Sequence, residues 1–126
     1  MIDINVINSL SEEASLQEII SRISSNAIGG VCIKDGKKLL GLITDGDLRR
    51  SLEKNNPNIW SDLKAAKLMT INPITIYEED LAINALELME NNKKKSISIL
   101  PVLNQHEELV GILRLHDLIK AGLIKK

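Results

Sequence analysis

An internal repeat constrains the fold of this chain more than any other feature of its sequence. When the 126 residues are shifted against themselves by 70 positions without a gap, Gly41 falls on Gly111 and Asp47 falls on Asp117. Apolar positions agree as well, and the matched pairs include Ile4 with Ile74, Val6 with Ile76, Leu16 with Leu86, Cys32 with Val102, and Leu39 with Leu109. Halves of about sixty residues would be marginally stable alone, so the repeat predicts that they share one core.

Both halves begin with the same predicted elements. A short β-rich stretch, at 4–7 in the first half and 74–77 in the second, precedes a helical pattern. In the first half the apolar residues of this helix fall on one face, and they are Leu16, Ile19, Ile20 and Ile23. Ser9 and Glu12 have the spacing of a capping box and predict where the helix begins.

A hairpin and a short helix complete each half. Predicted strands and helices of the first half cover 30–34, 38–43 and 45–54, with the hairpin signal Asp35-Gly36 between the strands. Those of the second half cover 97–103, 109–113 and 116–121. Residues 55–58 are predicted to form a loop and 61–68 a short connecting helix.

These elements predict an α+β protein. It would consist of two β-α-β-β-α repeats packed with pseudo-twofold symmetry. We place the first repeat at 1–56, the connecting segment at 57–71 and the second repeat at 72–126.

The composition argues against several classes of function. With 16 basic and 17 acidic residues and 2% aromatic residues, the chain lacks the charge and the stacking surfaces typical of nucleic-acid binding. Its apolar runs are too short to cross a membrane, and no signal peptide is predicted. The single cysteine, Cys32, cannot form an internal disulfide, which suits a reducing compartment. We therefore expect a soluble cytoplasmic module that binds neither nucleic acid nor membranes.

Two stretches resemble a known family. The segment GLITDGDLRR at 41–50, with G-x-x-T-x-x-D opening the last helix of the first repeat, resembles a tandem CBS-domain pair (a Bateman module). The segment KLMTINPITI at 67–76 resembles the connection between two such repeats. Together with LVGILRLHDLIKAGL at 109–123, the first motif is similar to the C-terminal regulatory region of arabinose 5-phosphate isomerases. In that family a separate sugar isomerase (SIS) domain catalyses the reaction, so the resemblance implies an SIS domain as the partner in a parent chain.

The resemblance also implies a ligand site. In CBS pairs the motif aspartate accepts hydrogen bonds from ribose hydroxyls, while the threonine and the amides at the helix start face sugar or phosphate. A carboxylate can accept two hydroxyl donors, and helix N-terminal amides suit an anion. The candidate ligand-binding residues are Thr44, Asp45, Asp47, Arg50, Ser96, Ser98, Arg114, His116, Asp117 and Lys120.

Structural alternatives stay open for several of these residues. Thr44 and Asp47 have the spacing of a helix cap, and Arg50 suits an ion pair with Asp47 on a solvated surface. His116 fits a surface position at a helix start as well as a polar contact in a pocket.

Arg114 stands where the first repeat has Thr44. A planar guanidinium there suits a carboxylate or phosphate and argues against an ordinary adenosine nucleotide in the second pocket. The implied host enzyme makes a precursor of Kdo, an acidic sugar that is activated as CMP-Kdo before it enters lipopolysaccharide. The resemblance therefore favours CMP-Kdo as the effector, with AMP, ADP or ATP second.

No catalytic residue, metal site or required cofactor is predicted. Asp45 and Asp47 lack the further oxygen ligands of a calcium loop, and the histidines and cysteine lack zinc-site spacing. An acid–base enzyme built on Asp47 and Asp117 would need a third group that the sequence does not provide. We expect a regulatory module that senses a nucleotide or nucleotide sugar, modulates its attached isomerase and forms a homodimer. The alternatives are a dimerisation element without a ligand and the CBS pair of a sugar nucleotidyltransferase.

Overall fold

A computed structural model describes residues 2–3, 9–26, 29–80 and 99–114. The strands of these residues are β1 (Ile2–Asp3), β2 (Ser9–Leu10), β3 (Gly30–Asp35), β4 (Lys38–Thr44), β5 (Thr70–Ile71), β6 (Ile76–Tyr77), β7 (Ile99–Leu103) and β8 (Leu109–Arg114). Their helices are α1 (Leu16–Asn26), α2 (Asp45–Lys54), α3 (Ala65–Leu68) and two 3-10 helices, Pro57–Asp62 and Glu78–Asp80. None of these helices is long and apolar enough to cross a membrane.

The strands form two four-stranded sheets that exchange their outer strands. One sheet has the order β2-β3-β4-β5 and the other the order β6-β7-β8-β1. In each sheet a parallel pair leads into an antiparallel hairpin, and the last strand joins the hairpin antiparallel. The N-terminal β1 thus completes the sheet of the second half, while β5 of the connecting segment completes that of the first. The two sheets therefore have equivalent strand orders, which confirms the predicted α+β fold of two repeats. Equivalent strand orders are also what pseudo-twofold symmetry between the repeats requires.

The strand register corrects the ungapped repeat within the hairpins. Leu42 lies opposite Cys32, and Ile112 lies opposite Pro101. The shift of 70 therefore holds for β4 and β8, but Cys32 corresponds to Pro101 and not to Val102. Gly41 lies eight positions after its partner Ile33, whereas Gly111 lies nine positions after its partner Val102, so one extra residue in the second hairpin accounts for the difference.

The first strands of the two repeats are also displaced from the predicted match. Leu10 pairs with Ile33, and Ile76 pairs with Val102. Ile33 and Val102 are equivalent because each lies opposite the glycine of the next strand. Ile76 therefore corresponds to Leu10 and not to Val6, and the second half is three residues longer before its hairpin. The strand predicted at 4–7, like the two α-helices predicted for the second half, lies outside the described residues.

The start of α1 differs from the prediction. Ser9 lies in β2, and the helix begins seven residues after it, at Leu16. Ser15 and Glu18 form the capping box instead: the Glu18 amide donates to Ser15 Oγ at 3.2 Å, and the Ser15 amide donates to Glu18 Oε1 at 3.3 Å. The S-x-x-E pattern occurs twice in this stretch, and the parallel pairing of β2 with β3 leaves only the second copy at a helix start.

The connecting segment is not the single helix predicted over 61–68. The 3-10 helix Pro57–Asp62 also covers part of the predicted loop, and α3 follows after a break. At the break the amides of Ala65 and Ala66 donate to the carbonyls of Ala14 and Glu12 at 3.0 Å each. Because these amides bond to a distant part of the chain, a continuous helical hydrogen-bond ladder cannot form there.

Two buried clusters form the core. The larger one packs the helices of the first half against their sheet, and its members include Leu16, Ile19, Ile23, Val31, Ile33, Ile43, Leu48, Leu63 and Leu68. The second joins the two sheets and consists of Cys32, Leu42, Ile99, Leu109 and Ile112. Ile20, which was predicted on the buried face of α1, is 38% exposed to solvent. Cys32 is fully buried, and this burial raises the pKa of its thiol to about 12.

Gly41 allows the connecting segment to lie directly against β4. A Cβ atom at this position would be 2.7 Å from Met69 Sδ and 2.8 Å from the Thr70 carbonyl oxygen. We expect Gly41→Ala to lower the free energy of unfolding by about 1–3 kcal/mol, because the backbone of β5 must move. Urea denaturation measures this loss.

Gly46→Ala in α2 is the matched control. A Cβ there would contact only the end of the exposed Arg50 side chain, at 3.3 Å from Nη1. Since alanine is favoured over glycine inside a helix by roughly 0.5–1 kcal/mol, this variant should not lose stability. A Gly41→Ala protein as stable as the Gly46→Ala protein would contradict the close approach.

Candidate functional site

The candidate site begins where β4 passes into α2. Thr44, the last residue of β4, caps the helix: its Oγ1 accepts a hydrogen bond from the Asp47 amide at 3.1 Å. In return Asp47 Oδ2 accepts one from the Thr44 amide at 3.0 Å. The Asp45 amide donates to the Gly29 carbonyl at 2.8 Å. The T-x-x-D motif is therefore a capping box that fixes the first turn of α2 and the position of the Asp47 carboxylate.

Asp47 makes two further contacts through its side chain. Arg50 Nη2 donates to Oδ1 at 2.7 Å, and Thr70 Oγ1 donates to Oδ2 at 3.4 Å. The Asp47 side chain is 19% exposed, whereas that of Arg50 is 71% exposed. The carboxylate thus accepts from Thr44 and Thr70 through Oδ2 and from the exposed guanidinium of Arg50 through Oδ1.

A surface depression of about 530 Å³ lies beside this carboxylate. Its walls come from α2 and α3, and its lining residues are Asp47, Arg50, Ser51, Glu53, Lys54 and Leu68. It contains both acidic and basic side chains above one apolar residue. Such a lining suits a polar ligand that can donate hydrogen bonds to the carboxylates and accept them from the cations.

Asp45 is not brought together with the other predicted residues of the first repeat. Its carboxylate is 62% exposed and lies 3.6 Å from Arg49 Nη2 in an i,i+4 pair along α2. This residue does not line the depression beside Asp47. This ion pair between Asp45 and Arg49 lies on a solvent-exposed face of the helix. Ion pairs between exposed side chains contribute little to stability.

In the second repeat, Arg114 occupies the position that the sequence predicted. It ends β8 opposite Ile99, as Thr44 ends β4 opposite Gly30. The remaining predicted residues, Ser96, Ser98, His116, Asp117 and Lys120, lie outside the described residues. Among the described residues, no group of histidine, cysteine, aspartate and glutamate side chains could hold a metal ion.

Thr70 contacts the Asp47 carboxylate although the sequence does not predict it as a site residue. This residue opens β5 and reaches Asp47 from a position 23 residues further along the chain. It lies in the segment KLMTINPITI, which resembles a connection between repeats, but nothing local marks its hydroxyl as part of a site. Only the pairing of β5 with β4, which puts Thr70 opposite Leu42, brings it to the carboxylate.

Two sheets that exchange their outer strands, with a T-x-x-D cap after one hairpin, define the class of tandem CBS-domain proteins. The chain belongs to the CBS-domain family, whose model matches residues 3–54 and 63–124. Among solved structures, CBSX2 in complex with AMP has a TM-score of 0.78 at 22% identity, over 98% of this chain and 92% of that one. The CBS-domain protein PAE2072 of Pyrobaculum aerophilum, complexed with AMP, has a TM-score of 0.75 at 25% identity, with coverages of 88% and 82%.

Curated relatives are longer proteins. Arabinose 5-phosphate isomerase KdsD of Francisella tularensis is 38% identical over 109 residues, which are 86% of this chain and 32% of that protein. Arabinose 5-phosphate isomerase KpsF of Escherichia coli is 37% identical over 106 residues, with coverages of 83% and 31%. The chain therefore spans about a third of the length of these relatives.

The capping box predicts a stability difference at Thr44. Thr44→Ala removes the acceptor of the Asp47 amide and should lower the free energy of unfolding by about 0.5–2 kcal/mol. Thr44→Ser keeps a hydroxyl acceptor, so it should remain within about 0.5 kcal/mol of the original protein. Urea denaturation of both variants tests this, and equal stability of the two would show that the cap contributes nothing.

Proposed function

We propose that this chain is a regulatory module that binds a nucleotide or nucleotide sugar beside Asp47 and modulates an attached sugar-phosphate isomerase domain. The observation that carries the proposal is the position of the Asp47 carboxylate, held at the edge of a depression with an exposed arginine on Oδ1. The AMP complexes of related folds support a nucleotide as the ligand. The isomerase relatives support the kind of host.

The contacts of Asp47 suit a ribose ring. Each carboxylate oxygen can accept about two hydrogen bonds, and Oδ2 already accepts from Thr44 and Thr70. Oδ1 accepts from Arg50 and retains capacity for one ligand hydroxyl. A hydrogen bond from a hydroxyl to a carboxylate is charge-assisted and stronger than one between neutral groups.

The negative charge of a nucleotide needs different partners, because Asp47 repels a phosphate. Arg50 and Lys54 line the same depression and supply positive charge. Since Arg50 is largely exposed, its guanidinium can leave Oδ1 and bind a phosphate without disturbing the core. Once Arg50 binds the phosphate, Asp47 Oδ1 can accept a hydrogen bond from a ribose hydroxyl.

The second repeat is the proposed source of selectivity for an acidic sugar. Arg114, at the position equivalent to Thr44, would bind a carboxylate, with Ser96, Ser98, His116, Asp117 and Lys120 as further candidates. CMP-Kdo combines a ribose, a phosphate and a sugar acid, so it is the favoured effector, and adenine nucleotides come second. The chain itself would have no catalytic role. The homodimer and the repeat boundaries at 56 and 72 stay predictions.

Calorimetric titration with CMP-Kdo, CMP and AMP tests the proposal. Asp47→Asn should weaken binding of all three by about 1–3 kcal/mol, because a charged acceptor of ligand hydroxyls is lost. Arg114→Ala should weaken CMP-Kdo more than CMP, because only CMP-Kdo carries a sugar acid.

A control is needed because Asp47→Asn also alters a helix cap. Glu18→Gln makes the corresponding change in the capping box of α1, where Glu18 Oε1 accepts from the Ser15 amide, outside the Asp47 depression. This variant should cost similar stability without weakening binding. If none of the three ligands binds at millimolar concentration, the sensing role is wrong and a ligand-independent assembly element should replace it.

A further inference from the structure

We propose that Thr70 is the second half of the ribose site, and that its hydroxyl accepts a hydrogen bond from one ribose hydroxyl while Asp47 accepts one from the other. This inference rests on the function proposed above, because it names the group with which that site recognises a diol. It also makes the connecting segment between the repeats a direct part of the ligand site.

The hydroxyl of Thr70 is placed to act in this way. It donates to Asp47 Oδ2 at 3.4 Å, and the threonine itself is exposed. A hydroxyl that donates one hydrogen bond keeps two acceptor lone pairs. Thr70 Oγ1 can therefore accept from a ligand without giving up its bond to the carboxylate.

The chain is anchored to the rest of the protein at Thr70 itself and just before it. Thr70 itself pairs with Leu42 of β4, and the absence of a side chain at Gly41 lets β5 lie directly against β4. Before Thr70 in the chain, Leu68 is buried in the core, and the first amides of α3 donate hydrogen bonds to carbonyls of the loop that precedes α1. An ordered backbone reduces the entropy that a ligand contact at Thr70 would cost.

Two acceptors of different kinds then face a diol. One ligand hydroxyl donates to Thr70 Oγ1, which in turn donates to Asp47 Oδ2, so the two hydrogen bonds form a chain that ends on a negative charge. The other hydroxyl donates to Asp47 Oδ1. Hydrogen bonds in such a chain polarise and strengthen one another, and we expect the 3.4 Å contact to shorten when ligand binds.

The test compares variants of Thr70 in calorimetric titrations with AMP and with 2′,3′-dideoxy-AMP, which lacks both hydroxyls. Thr70→Val keeps the shape of the side chain and removes the hydroxyl. It should weaken AMP about five- to tenfold and change the affinity for the dideoxy nucleotide by less than about twofold. Thr70→Ser keeps the hydroxyl and should retain the affinity for AMP to within about twofold.

Ile71→Val is the control for a general disturbance of β5, because it alters a neighbouring exposed side chain and leaves the hydroxyl intact. This variant should bind both nucleotides as the original protein does. Equal losses for AMP and the dideoxy nucleotide in Thr70→Val, or no loss for either, would overturn the role of Thr70. If the unmodified chain binds none of AMP, CMP and CMP-Kdo at millimolar concentration, the proposed function itself fails, and the role of Thr70 fails with it.

Discussion

The pairing of β5 with β4 is the constraint on which the candidate site depends. It carries the connecting segment across the first sheet, so that Thr70 meets a carboxylate 23 positions earlier in the chain. It requires glycine at position 41, because any side chain there would collide with Met69 and the Thr70 carbonyl. A site built in this way belongs to neither repeat alone. Its ligand would touch the end of one hairpin and the segment that leads to the other repeat.

The two repeats are similar in topology but differ where they meet. Gly30 and Ile99 are equivalent positions, and a Cβ at Gly30 would lie 2.8 Å from Ile99 Cδ1. Isoleucine on one side therefore requires glycine on the other, because two isoleucines could not share this space. The strand ends beside them differ as well, with Thr44 in one repeat and Arg114 in the other. Two chemically different sites are thus consistent with the packing between the sheets.

Local signals in the sequence predicted much of this structure. The helix at 45–54 was predicted with the bounds that the structure has, since Thr44 and Asp47 make both bonds of a capping box within four residues. The hairpin at Asp35-Gly36 follows from a turn that only a few residues favour, and Gly36 has a φ of 61°. The repeat itself predicted two related halves. These features depend on residues close together in the chain.

Features that depend on distant pairing could not be predicted in this way. Ser9 and Ser15 both begin an S-x-x-E pattern, and only the parallel pairing of β2 with β3 excludes the first as a helix start. The equivalence of Leu10 with Ile76 needs the register of two separate sheets. Nothing in the sequence near Thr70 marks its contact with Asp47, because only the pairing of β5 with β4 brings the two residues together. Half of the predicted ligand residues lie outside the described part of the chain, and their roles stay predictions.

Amide chemical shifts during a nucleotide titration test the central claim most directly. The claim is that ligand binds at the junction of β4, α2 and β5. In a 15N-labelled sample titrated with AMP, the amides of Thr44, Asp47 and Thr70 should be among those that shift most, although Thr70 is far from the other two in sequence. Shifts of Thr44 and Asp47 with none at Thr70 and Ile71, or saturable binding that leaves all of these amides unchanged, would contradict the account.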